Sequence, residues 1–276
     1  MQLHCLPTTA ALADSVRGLV AVQIDAREPL PLSIVPHESL MLTVQFGRDG
    51  ADAKAPPGRN THLTGIRQWT GSFIGAGHCI SLFALLTPLG AVRLLDGRAL
   101  CDAPRIRVPV ADLLDDRLTR ALESDIALAH DVPAQLQAFA AWLEARAAAR
   151  RDPSRAALRA ARAAMHLCDE PHLTIEHAAA AQHVSRRQLE RDFERWLGTT
   201  PRHLAQVARV QRVARRARSG ATLAETAIDA GFADQPHMTR TVRRLTGLTP
   251  RAFVASQRTP IAAAFRAATR GGTVYL

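Results

Sequence analysis

Short apolar runs separated by turn residues fill the first hundred positions. Leu40–Phe46 (LMLTVQF) and Cys79–Leu86 (CISLFALL) are apolar or β-branched and predict strands. Asp49–Asn60 (DGADAKAPPGRN) combines Gly, Pro and Asp and predicts an exposed loop. Gly71, Gly75, Gly77, Gly90 and Gly97 punctuate the stretch after it, and short strands at this spacing predict a barrel or sandwich. From Val110 the apolar residues recur at three- and four-residue intervals. That period predicts helices over Ala111–Leu128 and Pro133–Ala149. Arg150–Ser154 (RRDPS) reads as a linker, with Pro153 holding Asp152 extended. A helix over Ser154–Leu167 then opens a second unit.

The second unit repeats itself. Gln188–Arg202 reads QLERDFERWLGTTPR and His237–Arg251 reads HMTRTVRRLTGLTPR, an offset of 49 residues. Arg191, Arg195, Gly198, Thr200, Pro201 and Arg202 fall on Arg240, Arg244, Gly247, Thr249, Pro250 and Arg251. Upstream, Glu176, Ala178 and Ala181 fall on Glu225, Ala227 and Ala230. In the first copy Thr174 is placed to cap a short helix, Ile175–Gln182. His183-Val184 makes a turn, and Ser185 caps Arg186–Leu197. Leu189, Phe193, Trp196 and Leu197 form one apolar stripe, Gly198 ends the helix, and Pro201 starts the next. The second copy runs Leu223–Ala230, a turn at Gly231-Phe232-Ala233, an Asp234 cap and Gln235–Leu245. Between the copies, Pro201–Arg218 predicts a connecting helix bearing Arg209, Arg212, Arg215, Arg216 and Arg218. Two helices joined by a tight turn, the second amphipathic and basic, predict a helix-turn-helix in each copy.

Charge respects the same division. Residues 1–150 hold 14 basic and 15 acidic side chains, whereas residues 151–276 hold 21 basic and 10 acidic ones, so the net +10 resides in the second part. A basic unit beside a neutral one points to a polyanion on one side and a different partner on the other. All but one of the basic residues are Arg, the exception being Lys54. Cys5, Cys79, Cys101 and Cys168 are scattered without C-x-x-C spacing, so neither a zinc ribbon nor a redox pair is indicated, and the usage fits a reducing compartment. No apolar stretch is long enough to span a membrane, and the opening MQLHCLPTTAALADSV lacks the pattern of a secretory signal. A cytoplasmic protein without membrane contact is expected.

The segment GFADQPHMTRTVRRLTGLTPRAFV resembles the C-terminal signature of AraC/XylS-type transcriptional regulators, and the resemblance covers about Leu173–Val254. Three positions depart from the pattern. Met238 and Val242 stand where larger aromatics are common, and Pro236 lies in the second recognition helix, where a first-turn proline is tolerated. The resemblance implies an α+β chain: an N-terminal β-rich, barrel-like domain with helices, then an all-α DNA-binding domain of two helix-turn-helix units joined by a linking helix. The expected divisions are 1–150 for effector sensing or dimerisation, 151–258 for DNA binding, and 259–276 as a tail.

A recognition helix presents its early residues to base edges in the major groove. The polar faces offer Arg186, Arg187, Glu190 and Arg191 in the first copy, and Gln235, Pro236, Thr239, Arg240 and Arg243 in the second. Arg pairs bidentately with guanine and Gln with adenine, Glu accepts from cytosine, and a Thr methyl meets a thymine methyl. By resemblance, Arg187, Glu190, Arg191, Gln235, Thr239 and Arg240 map to positions that read bases. Arg195 and Arg244, a turn further on, fall to phosphate or solvent.

The N-terminal resemblance rests on IVPHESLMLTVQFG and LFALLTPLGAVRLL…VPVADLLDD, similar to the effector domains of some family members. It implies an unidentified small-molecule effector, a possible homodimer, and contact with RNA polymerase as well as double-stranded DNA. Trp69, Phe73, Phe83 and His78 are candidates for a pocket lining, with core packing as the plainer alternative. His37, His62 and His78 match no metal motif, and a buried strand cysteine is the plainer reading of Cys79. No cofactor or nucleophile motif occurs, so no cofactor and no enzyme activity are expected. The competing class is an enzyme, cupin-like and metal-dependent or an alkyl-transfer repair protein, fused to a DNA-binding domain. A nonspecific architectural DNA binder is a third.

Overall fold

Period-two alternation builds the N-terminal sheet. Its strands are β1 (Gln2–Leu6), β2 (Val16–Ile34), β3 (Leu40–Gly47), β4 (Asn60–Thr64), β5 (Gly71–Leu86) and β6 (Arg107–Pro109). They pair antiparallel in the order β1-β2-β5-β3-β4-β6. Successive side chains point to opposite faces. Leu19 and Ala21, Leu40, Leu42 and Val44, and Leu82, Ala84 and Leu86 therefore enter the main core. The intervening Val20, Val22, Ile24, Met41 and Leu85 gather in a smaller core on the other side. The computed structural model describes residues 1–47, 60–95, 100, 107–149, 153–216, 220–256, 262–263 and 266–267.

Gly71 opens β5 as a boundary, but three other expected breaks, at Gly75, Gly77 and Gly90, are not breaks. Gly75 and Gly77 lie within β5, which is twice the length of the CISLFALL run. Gly77 has a φ of 69°, and the register against β2 shifts between Ala26 and Leu30. Glycine marks an irregularity in a continuing strand here, not a stop. Asn60 opens β4 opposite Gln45, while the rest of the expected Asp49–Asn60 loop and Gly97 lie outside the described residues. Gly90 sits inside helix α1 (Pro88–Leu94), where a Cβ would collide with the Ser15 backbone.

The helix expected over Ala111–Leu128 is two helices, α2 (Val110–Leu113) and α3 (Asp116–Leu128). Leu114 is extended between them, and Asp115 accepts from the Arg117 amide at 2.7 Å, a cap that restarts the chain. α4 (Val132–Ala148) then lays Leu136, Phe139, Trp142 and Leu143 on the sheet. Of the linker, Arg150, Arg151 and Asp152 lie outside the described residues, and Ser154 caps α5 (Arg155–Asp169). α5 buries Ala157, Ala160, Ala161, Ala163 and Ala164. These small side chains let it sit between α1 and the C-terminal helices, so one buried cluster runs from the sheet into the C-terminal region. Among the described residues no helix is long and apolar enough to cross a membrane.

Candidate nucleic-acid interface

The helices that follow α5 include α6 (Ile175–Ala180), α7 (Arg186–Leu197), α8 (Pro201–Arg216), α9 (Leu223–Asp229), α10 (Gln235–Thr246) and α11 (Pro250–Ser256). Their ends are set by side chains close in sequence. Thr174, Ser185 and Asp234 accept from the amides of His177, Gln188 and His237 at 3.1, 3.2 and 2.6 Å. Thr222 and Glu225 form a reciprocal capping box. Gly198 and Gly247 end α7 and α10 in the left-handed conformation, at φ of 62° and 74°. The expected helices shorten slightly: the first copy's lead helix ends at Ala180 and the second's at Asp229.

The two units share one plan with a slipped turn. α6 and α9, and α7 and α10, are displaced by the repeat offset. The residue that turns left-handed is His183 in the first copy and Gly231 in the second, each leading into an apolar anchor, Val184 or Phe232. That pair is spaced one residue less than the helices, so Ala233 is an additional residue before the second cap. A Cβ on Gly231 would collide with the Pro171 carbonyl.

Burial sorts each recognition helix into an inner and an outer face. Leu189, Phe193 and Leu197 of α7 and Met238, Val242 and Leu245 of α10 are buried, and Trp196 is half-buried with the Arg195 guanidinium 5.1 Å from its ring centre. Arg186, Arg187, Arg191, Gln235, Pro236, Arg240 and Arg243 are exposed, and Glu190 and Thr239 half-exposed. The structure thus places all nine candidate side chains at the outer faces of α7 and α10. Their availability differs. Arg186 is held by Glu176 at 2.7 Å and Glu190 at 2.8 Å, so Arg186 and Glu190 occupy one another. Arg187, Arg191, Gln235, Arg240 and Arg243 have no polar partner among the described residues.

The linking-helix arginines turn to structure. Arg209 donates to the Pro171 carbonyl at 3.0 Å, and Arg212 to the Cys168 and Asp169 carbonyls at 3.0 and 2.7 Å, closing the end of α5. Arg215 pairs with Glu38 at 3.2 Å and Arg216 with Asp229 at 2.8 Å, while Arg218 lies outside the described residues.

Sequence reasoning missed the buried Asp192 on α7, bound by Arg159 of α5 at 2.6 Å and by Gln188 at 2.9 Å. It also missed the sheet domain's grip on both recognition helices. The Leu100 amide donates to the Arg195 carbonyl at the end of α7, at 2.8 Å. The Thr70 amide donates to the Leu245 carbonyl at the end of α10, at 3.1 Å, and its hydroxyl reaches the Leu245 and Thr246 carbonyls. His203 donates to the Arg67 carbonyl, and Gln211 to the Pro36 carbonyl, both at 2.8 Å. Glu38, almost fully buried, accepts from Arg17 at 3.4 Å and from Arg215. Burial alone would raise its carboxyl, but the two guanidiniums hold it below the usual range.

The other N-terminal candidates are dispersed. Trp69 and His78 are exposed, Phe83 packs on the smaller core, and the Phe73 side chain lies outside the described residues. His37 accepts from the Ser39 amide, and His62 faces Arg107 at 3.3 Å. Cys79 is buried against Gln45 and Ser81. Among the described residues no group of three or more His, Cys, Asp or Glu stands in metal-binding proximity.

Two capped helix-turn-helix units carried on one connecting helix, each with a basic outer face, define a DNA-binding class of domain. Residues 178–256 match the model of a helix-turn-helix domain family, and this segment is a domain of the AraC type. Residues 178–256 accordingly carry a helix-turn-helix fold of the DNA-binding kind. An AraC-type regulator from Chromobacterium violaceum is 27% identical, covering 39% of this chain and 99% of its own, with a TM-score of 0.35. ToxT from Vibrio cholerae O395 is 9% identical over 85% of this chain and 95% of its own, with a TM-score of 0.43. Unsaturated fatty acid-bound wild-type ToxT from Vibrio cholerae strain SCE256 is 11% identical over 87% of this chain and 95% of its own, also at 0.43. No curated protein matches the chain.

Proposed function

We propose that this protein is a sequence-specific transcriptional regulator rather than an enzyme, with α7 and α10 reading successive major grooves on one face of a duplex. Residues 151–258 are the DNA-binding unit and residues 1–150 the sensing unit, which answers to a small-molecule effector. The observation that carries this reading is the pair of exposed cation sets with no polar partner among the described residues, Arg187 and Arg191 on α7 and Arg240 and Arg243 on α10. Grooves one helical turn apart are separated by about 34 Å. The two outer faces differ in chemistry, RRQLER against QPHMTR, so the preferred site is asymmetric. The hydrogen bonds from Leu100 and Thr70 to the ends of α7 and α10 give the sensing unit a mechanical route to both reading elements.

Selection of bound duplex from a random pool, with the full chain, tests this. A motif of two unequal halves about one turn apart is expected. Equal affinity for all duplexes would instead identify an architectural binder. At the level of one residue, Arg187→Ala should weaken the preferred site by about 1–3 kcal/mol and relax discrimination at one base pair. A uniform loss across sequences would assign Arg187 to the backbone.

A further inference from the structure

An open cleft of about 470 Å³ lies between the first turns of α8 and the middle of α10, and Gln68 of the sheet domain lines one edge of it. Arg202 and Gln206 line it from α8, and Arg240 and Arg244 from α10. Among the described residues no carboxylate lines it. Arg202 and Arg240 have no partner among the described residues, and Arg244 donates only to the neutral Gln206 oxygen, at 2.8 Å. Three guanidiniums from two helices therefore share one concavity with no counter-charge among the described residues. Their mutual repulsion is relieved by an anion, and guanidiniums match the geometry of phosphoryl oxygens. The first turn of the 16-residue α8, with Pro201 at its start, adds the positive end of a helix dipole. Linking-helix arginines beyond this point are tied to carbonyls and carboxylates, so the open cationic charge of α8 is concentrated at the cavity.

We propose that this cavity is a phosphoryl-oxyanion site, in which Arg202, Arg240 and Arg244 hold the anion and Gln68 supplies a polar contact from the sheet domain. The volume exceeds a lone phosphate and lies within the range of about 300–1,000 Å³ common for small-molecule sites. Two sources supply the same chemistry: a free phosphate ester, or a phosphate of the bound duplex. The second source rests on the DNA-reading function, the first does not. Because Arg240 belongs both to the cavity and to the outer face of α10, a free anion held there competes with DNA.

Calorimetry with pyrophosphate and duplex affinity measured against salt distinguish the sources, using the full chain, Arg202→Gln, Arg244→Gln, and Arg120→Gln on exposed α3 as a charge control. For a free-anion site, wild type binds pyrophosphate and each cavity variant loses tenfold or more. For a DNA-phosphate site, each cavity variant lowers the magnitude of the salt slope by about 0.9. Arg244→Lys should retain part of either effect. The proposal is overturned if both cavity variants match Arg120→Gln in pyrophosphate binding and in salt slope. Wild type that binds no duplex at low salt would refute the DNA-reading function separately, and the pyrophosphate measurement would then decide the cavity alone.

Discussion

Helix α7 holds side chains placed by local sequence beside one placed by a neighbour far away in the chain. Leu189, Phe193 and Leu197 are buried as their spacing requires, because a helix stripe is a property of local sequence. Asp192 sits on the same helix and looks like one more solvated acid. Only the fold brings Arg159 from α5 against it, so no pattern along the chain could reveal the pair. Removing one member of a buried ion pair strands the other. Asp192→Ala should therefore lower stability by about 2–4 kcal/mol in urea titration, at the low end because Arg159 keeps some solvent contact. The double variant Asp192→Leu/Arg159→Met should recover most of that loss, and failure to recover would place the cost in α7 itself.

At the level of elements, the helix-turn-helix units were legible because their boundaries are written in adjacent residues. Caps at Thr174, Ser185 and Asp234 and left-handed glycines at 198 and 247 lie within a few positions of what they terminate. The β5 glycines and the α2–α3 break were not, since partner strands and tertiary packing decided whether a breaker residue broke anything. The slipped turn gives an element-level test. Gly231 is left-handed with no room for a Cβ, whereas His183 pays the left-handed penalty in the equivalent turn. Gly231→Ala should cost more than the ~1 kcal/mol of backbone strain alone, because the Pro171 carbonyl must also move. His183→Gly should be neutral or slightly stabilising, its relief of strain offset by a more flexible unfolded chain. Thermal melts of the two variants in opposite order would refute this account of the turns.

Across the whole molecule, the junction between sheet and helices is where the sequence was silent and where acid should act first. His37 and Glu38 lie beside the Pro36 carbonyl that Gln211 grips, and both are buried. Burial pushes the His37 imidazole down to about 4, with Arg67 and Arg17 opposing protonation and Glu38 favouring it. A folded-state value below the unfolded one means the unfolded chain takes up the proton first. His37 thus contributes stability that is complete above about 6.5 and lost as pH falls toward about 4, on the order of 3 kcal/mol in total. Glu38, also held low, adds a loss of the same sign at still lower pH. His203, lowered by burial at the Arg67 contact, contributes in the same direction as His37. Denaturant midpoints from pH 8 to 4.5 should therefore decline for the wild type. His37→Asn keeps an acceptor for the Ser39 amide but cannot titrate, so its decline should be markedly shallower. An unchanged slope in His37→Asn would remove this junction from the acid response and leave it to groups elsewhere. If the shallower slope is found and the proposed function holds, the same variant should also hold duplex affinity more nearly constant over that pH range, because α8 carries Gln211 and Arg215 as well as the connection between α7 and α10.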